Sequence, residues 1–332
     1  MNILAIESSC DDTSAAVIKN GEICSNVVAN QLIHQEYGGV VPELASRAHQ
    51  QNILKVVDQA LSDANLTKKD LHAIGFTRGP GLLGSLLVGT SFAKAMALAL
   101  NIPIIDVHHM HAHVLAHFIE DPKPPFPFLC LTVSGGHTQI VKVDAPDQMI
   151  ILGQTLDDAV GEAFDKSAKL LGLPYPGGPL IDKYAQTGNP NAYIFPIPEI
   201  ADLNYSFSGV KTAILYFLQK NVKADPGFIE NNLEDICASI QHTLITILLQ
   251  KLKKAARLTG IKDIAIAGGV SANSGLRQTL TQSAEKLGWN VYIPAFEYCT
   301  DNAAMIAMAA HFKYLNNEFA DQHISPVARM AF

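Results

Sequence analysis

A short pattern occurs twice in this chain and constrains its fold more than any other feature. In the first copy, residues 3–6 are apolar, Ser8-Ser9-Cys10-Asp11-Asp12-Thr13 form a polar turn, and residues 15–18 are apolar again. Asn20-Gly21 then gives a hairpin signal that leads to a third strand. In the second copy, residues 128–133 are apolar, Ser134-Gly135-Gly136-His137-Thr138 form a Gly-rich turn, and apolar runs return at 140–143 and 149–152. Helical periodicity follows each copy, over residues 42–64 and 157–171. Strand and helix patterns then alternate at 74–77, 82–100 and 102–107, and again at 233–258, 264–267, 274–287 and 291–293. The chain therefore reads as mixed α/β with two related lobes.

Two lobes need two cores. The 332 residues are 48% hydrophobic and only 17% charged, which is enough apolar material for both. The natural boundary is the stretch 120–127, where Pro122, Pro124, Pro125 and Pro127 forbid regular structure. This predicts a first lobe over 1–125 and a second over 126–332, with the last helix, residues 302–315, left open to pack back on the first lobe.

Several function classes are disfavoured. The start of the chain lacks the basic region and long apolar stretch of a secretory signal, and Glu7 interrupts it early. Cys10, Cys24, Cys130, Cys237 and Cys299 are widely spaced with no CxxC pair, which points to a reducing cytoplasm rather than a disulfide framework. The most apolar window, 82–100, contains Gly84, Ser85, Gly89, Thr90, Ser91 and Lys94 and reads as a buried helix, so no membrane partner is expected. With a net charge of −7 and a pI near 5.9, the surface alone is a poor trap for nucleic acid. An RNA substrate would need partner proteins to help hold it.

The two turns carry the chemistry-bearing residues. Asp11 and Asp12 offer carboxylates to a cation or a proton, and Gly135 and Gly136 allow the backbone to approach an anion closely. Set one in each repeat, the turns are expected to face each other across a cleft and clamp phosphates. A third feature is the apolar run 264–267, followed by Gly268-Gly269-Val270-Ser271-Ala272-Asn273 and a helix from Ser274, a setting suited to a nucleoside or phosphate. No Walker A pattern is present. Acids beside a helix and a Gly turn also occur at Asp165 and at Gly177-Gly178-Pro179-Leu180-Ile181-Asp182.

Histidines crowd residues 108–117. His109 with His113, and His113 with His117, lie four apart and would share a helix face, the spacing that lets two imidazoles reach one ion. Spacing alone does not choose between the pairs. The glutamate of an HExxH protease is missing.

Taken together, Ile6-Glu7-Ser8-Ser9-Cys10-Asp11-Asp12-Thr13, His108-His109-Met110 with His113, residues 133–138, 161–178 and 268–273, and Cys299-Thr300-Asp301-Asn302 resemble the tRNA threonylcarbamoyladenosine transferase family, formerly called O-sialoglycoprotein endopeptidase. The resemblance runs nearly end to end, and residues 163–179 are similar to its bacterial branch. It implies the duplicated RNase H-like lobes of the actin, hexokinase and Hsp70 architecture. It implies His109, His113 and Asp301 as ligands of one divalent ion, Fe(2+) first and Zn(2+) second, and leaves His111 and His117 incidental. It places an adenylate on Thr132, Val133, Ser134, Gly135, Gly136, Asp165, Gly178, Asp182 and Asn273. The implied substrates are threonylcarbamoyl-AMP and tRNA, the implied partners an inactive paralogue and a small ATPase. Asp11 is the candidate for proton removal or for positioning the amine. The runner-up readings are a small-molecule kinase of the same fold and a nonenzymatic nucleotide-binding scaffold.

Overall fold

The computed structural model describes residues 1–31 and 33–332. The first half contains β1 (Asn2–Glu7), β2 (Thr13–Lys19), β3 (Glu22–Ala29), α1 (His34–Tyr37), α2 (Pro42–Asp63), β4 (Ala73–Gly79), α3 (Leu83–Leu100), β5 (Ile104–His108) and α4 (His109–Leu115). The second contains β6 (Phe128–Val133), β7 (Thr138–Ala145), β8 (Gln148–Gln154), α5 (Val160–Leu170), α6 (Gly178–Ala185), α7 (Ser208–Ala224), α8 (Phe228–Asn231), α9 (Leu233–Thr259), β9 (Asp263–Ala267), α10 (Ser274–Leu287), β10 (Asn290–Tyr292) and α11 (Ala303–Leu315).

The strands form two mixed five-stranded sheets. The first runs β3-β2-β1-β4-β5 and the second β8-β7-β6-β9-β10. In each, two antiparallel hairpins are followed by two parallel crossovers, so the repeat read from the sequence is a repeat of topology. Asn20 and Gly21 carry the positive φ angles, 51° and 92°, that a tight two-residue hairpin demands.

The chain separates into two compact units, Met1–Lys123 with Pro294–Phe332, and Pro124–Ile293. In the first unit, alternate residues of β1 face opposite ways. Leu4 and Ile6 join Ile53 and Val57 of α2 and Ala93 and Ala97 of α3 in one buried cluster. On the opposite face, a Cβ placed on Gly75 of β4 would sit 2.8 Å from the Cβ of Ala310, so α11 lies directly against the strands. By length and composition α3 is the one helix among the described residues suited to cross a membrane, yet it packs on α2 and β4. In the second unit, Leu129, Leu131 and Val133 of β6 pack with Phe164 of α5, Ile181 of α6, Ile214 of α7 and Ile240 and Leu244 of α9.

The boundary at the proline stretch falls at Lys123 and Pro124, but assigning 126–332 to one lobe needs correction, because Pro294–Phe332 belongs to the first unit. The reason is the composition of α11. Every residue from Ala303 to Ala310 is buried, so the helix needs cover on all sides, and the open face of the first sheet supplies it. Polar ties fix the return: Ala303 N–H donates to Ser14 Oγ (2.8 Å), Ala304 N–H to Asn26 Oδ1 (3.2 Å) and Lys313 Nζ to Asp106 Oδ1 (2.9 Å). Four helices among the described residues escape the periodicity reading, the one-turn α1 and α8 among them. α7 has no predicted counterpart, and α6 lies where the sequence suggests only a Gly turn, with Pro179 in its first turn.

Candidate metal centre and nucleotide-binding loop

His108 ends β5 and caps α4, its Nδ1 accepting from Met110 N–H (3.2 Å) and His111 N–H (3.4 Å). The next residue, His109, is the first of the helix, and His113 follows one turn later on the same face. Their rings lie 4.7 Å apart, edge to face. Asp301 arrives from the turn before α11, where Asn302 Oδ1 accepts from Met305 N–H and fixes the helix start. One Asp301 oxygen, Oδ1, lies 3.4 Å from His109 Nε2 and 3.1 Å from His113 Nε2. One ligand atom from each of His109, His113 and Asp301 falls within 4.8 Å of the others. The structure thus brings His109 and His113 together with Asp301. His117 lies in the 3-10 turn Ala116–Phe118 and is not part of this cluster. His111 stacks on His108 at 4.4 Å, also outside it.

Behind His109 stands Glu7, a residue whose role the sequence reading missed. Its carboxylate is fully buried at the end of β1, accepts from Thr77 Oγ1 (2.6 Å) and from Ser9 N–H, and lies 3.2 Å from His109 Nδ1. A carboxylate facing Nδ1 holds a proton there and leaves Nε2 directed at Asp301. Burial alone would push Glu7 up, but the His109 imidazole outweighs it and holds the carboxyl below its usual range. Burial likewise opposes charge on His109, yet Asp301 and then Glu7 push its pKa up to about 10. Asp301 is held well below the ordinary range by His109 and His113 despite its burial. The pocket's acids therefore demand positive charge at His109.

The turn bearing Asp11 is stitched into its surroundings. Ser8 Oγ donates to Ser85 O (3.0 Å), Leu82 N–H to Ser9 O (2.7 Å), and Ser9 Oγ meets His109 Nδ1 at 3.2 Å. A Cβ on Gly81 or Gly89 would collide with Ser9 O or Ser8 Oγ, so both positions require glycine. Asp11 is half-buried, while Asp12 is pushed up to about 7 by burial and by the nearby charges of Asp11, Asp301 and Glu7.

In the second unit the equivalent turn closes on itself. Ser134 N–H donates to His137 O (2.8 Å), and Ser134 Oγ accepts from His137 N–H (3.0 Å) and Gly136 N–H (3.3 Å). Gly135 and Gly136 are exposed, with no other atoms within 4 Å of an added Cβ. Thr132 and Val133, also expected at the adenylate, lie at the end of β6 with their side chains buried at 0% exposure. The open part of the motif is Ser134, Gly135 and Gly136.

Asp165, Asp182 and Asn273 hold helix ends together. Asp165 Oδ1 accepts from the N–H groups of Gly177 (2.9 Å) and Gly178 (3.0 Å) at the start of α6. Asp182 of α6 accepts from Ser274 N–H (2.9 Å) and Ser274 Oγ (2.8 Å) at the start of α10. Asn273 caps α10 through Leu276 N–H (2.9 Å) and donates to Gln241 Oε1 (2.7 Å) on α9. Both ends of Asn273 and both oxygens of Asp182 thus make contacts within the protein, while Asp182 Oδ2 keeps a second lone pair and Asn273 a second N–H for a further partner. Gly178 differs, since a Cβ there would meet Phe164 Cβ at 3.6 Å and Asp165 Oδ1 at 3.9 Å, both ordinary contacts.

The profile of the tRNA N6-adenosine threonylcarbamoyltransferase family matches residues 22–308. The chain belongs to this family. The enzyme of that name from Christiangramia forsetii is 64% identical, with 100% of this chain and 98% of the relative covered. Its counterpart from Cytophaga hutchinsonii is 63% identical over 99% of this chain and 96% of the relative. Among solved structures, full-length HypF in its phosphate- and nucleotide-bound form matches with a TM-score of 0.64 at 13% identity, over 95% of this chain and 46% of HypF. Component A of the Acidaminococcus fermentans (R)-2-hydroxyglutaryl-CoA dehydratase matches at 0.53 and 16% identity, over 93% of this chain and 96% of its own. At these identities the two structures support the fold alone. These two relatives cover 99–100% of this chain, so both units are shared with them.

Proposed function

We propose that this family member transfers the threonylcarbamoyl group of threonylcarbamoyl-AMP to the N6 amine of the adenosine next to the anticodon, in tRNAs that read codons beginning with A, releasing AMP. In the step, the amine nitrogen bonds to the carbamoyl carbon, the bond from that carbon to the AMP phosphate oxygen breaks, and the amine loses a proton. The observation that carries the reading, in a chain of this family, is the convergence of His109, His113 and Asp301 beside the Asp11 turn. Duplicated lobes of the actin, hexokinase and Hsp70 architecture accommodate it, in line with the matching strand orders of the two sheets.

The three converging groups suit a divalent cation. With Nδ1–H of His109 directed at Glu7, Nε2 faces the Asp301 carboxylate at 3.4 Å, a place that either a proton on Nε2 or a bound cation would fill. Two imidazoles and one carboxylate favour Fe(2+), with Zn(2+) second, over Mg(2+). Such an ion supplies Lewis acidity toward a phosphate or carbonyl oxygen. Asp11 takes the amine proton or orients the amine. The exposed Ser134-Gly135-Gly136 backbone and Gly178 receive the adenylate, while Asp165, Asp182 and Asn273 hold the helix N-termini around them.

The partners implied are tRNA, an inactive paralogue and a small ATPase, with no membrane. The acidic net charge of −7 makes helpers useful for tRNA capture. The free cysteines suit a cytoplasmic location. Incubation of purified protein and helpers with threonylcarbamoyl-AMP and unmodified tRNA, followed by mass spectrometry of the nucleosides, tests the activity. Threonylcarbamoyladenosine should appear; ATP turnover with unmodified nucleosides would overturn the reading.

A further inference from the structure

We propose that His49 is a positioning residue for the transfer, a rigid clamp across the two ends of the Asp11-Asp12 pair. The inference rests on the reading of Asp11 given above. His49 lies on α2 at 0% exposure, and nothing in the metal centre uses it. Its Nε2 is 3.0 Å from the carbonyl of Cys10, the residue before Asp11. A carbonyl only accepts, so Nε2 carries the proton and donates. Nδ1 is therefore the acceptor in the 2.8 Å contact with Thr13 Oγ1, the residue after Asp12. One planar ring thus fixes the backbone just before the two aspartates and the side chain just after them.

The clamp opposes a real repulsion. Asp11 and Asp12 are adjacent acids, and Asp301 and Glu7 add charge of the same sign near Asp12. A turn free to move would swing the carboxylates apart and toward water. Among the described residues, neutral side-chain hydrogen bonds tie the Cys10 carbonyl and the Thr13 hydroxyl: the pair made by His49, and a second one to the Cys10 carbonyl from Ser85 Oγ at 3.0 Å. Burial lowers the His49 pKa, which keeps the ring neutral and its two nitrogens distinct, one donor and one acceptor. The neighbours Ala45 and Ile53 on the same helix are buried too, so the ring is held from behind.

Steady-state kinetics of the transfer in the assembled system test this, with each variant also checked for bound metal and thermal unfolding. His49→Phe keeps a ring and loses both hydrogen bonds, His49→Gln retains a donor for the Cys10 carbonyl, and Thr13→Val removes only the hydroxyl. Misplacement of a reacting group by about 1 Å costs on the order of 10²-fold in rate, so kcat of His49→Phe should fall by about that factor with KM for threonylcarbamoyl-AMP and metal content unchanged. His49→Gln should recover part of the loss. Thr13→Val should lose less, and adding it to His49→Phe should cost nothing further, as expected for one shared contact. If His49→Phe fails to fold, His49→Gln and Thr13→Val carry the test. Asp11→Asn in the same assay separates two kinds of failure. Full activity in Asp11→Asn removes the reading of Asp11 and this inference with it. An inactive Asp11→Asn beside wild-type kcat in both His49→Gln and Thr13→Val overturns the His49 clamp alone.

Discussion

The turn at residues 8–12 and the turn at residues 134–137 occupy the same place in two sheets of the same strand order, yet they are built to opposite ends. The first is bound on every side, by Leu82, Ser85, His49 and His109, and its neighbours include glycines that exist only to let it approach. The second is closed by its own serine and packed on Gly161, whose N–H donates to the Ser134 carbonyl (3.2 Å), while Gly135 and Gly136 stay exposed to solvent. On the proposed reading, the first copy is stiffened where Asp11 acts and the second exposes glycines where the adenylate would lie. The glycines do not divide the same way, since a Cβ on Gly161 would collide with Ser134 O and Gly135 Cα just as one on Gly81 or Gly89 would collide with the first turn. Gly81 and Gly89 are required by the protein's own packing, whereas packing makes no such demand at Gly178.

The comparison breaks most visibly at the metal. Metal analysis of anaerobically purified protein should find roughly one equivalent of ion, lost in His109→Ala and in His113→Ala but retained in His111→Ala and His117→Ala. Glu7→Gln, which weakens the hold on His109 Nδ1 without touching a ligand, should lower metal affinity by about 10–100-fold in a competition titration with a chelator. In the second unit the effects are smaller. Gly178→Ala should leave thermal unfolding unchanged and weaken adenylate binding in calorimetry by about 1–3 kcal/mol, the usual cost of an intruding methyl group. Asn273→Ala should behave in the reverse way, costing about 1 kcal/mol of stability through the lost helix cap before it affects binding.

The smallest effect sharpens the electrostatic side. Asp12 is raised from 3.8 to about 7, so between those values the folded state binds more protons than the unfolded one, and stability contributed by this group falls as pH rises. In protein stripped of metal, Asp12→Asn should raise the melting temperature at pH 8 and leave it near the wild-type value at pH 4. Equal shifts at both pH values would place Asp12 in solvent.

Much of this was legible in the sequence for identifiable reasons. The hairpin at Asn20-Gly21 and the repeated apolar runs encode local geometry, and local geometry is what periodicity reports. The His109 and His113 spacing gave a shared helix face, but spacing could not reject His117, because only the ending of α4 at Leu115 separates it. The return of Pro294–Phe332 to the first unit was left open because an all-apolar helix states that it must be buried and not against what. Glu7 was visible as an acid ending an apolar strand, which is itself a signal of a buried, paired carboxylate. His49 left no such trace, since a single histidine in a helical stretch reads the same whether it clamps a turn or faces water. That Asp182 and Asn273 also hold helix ends was not legible, because side-chain chemistry does not reveal which backbone groups a residue will meet.

The most direct test of the division between the two turns is one kinetic experiment, transfer to tRNA measured against threonylcarbamoyl-AMP concentration for Asp11→Asn and Gly178→Ala. Asp11→Asn should lose at least about 10²-fold in kcat with little change in KM, as expected for a group that acts on the moving proton or holds the amine. Gly178→Ala should raise KM and recover near wild-type kcat at saturation. The opposite pattern, with KM raised in Asp11→Asn and kcat lost in Gly178→Ala, would contradict the account.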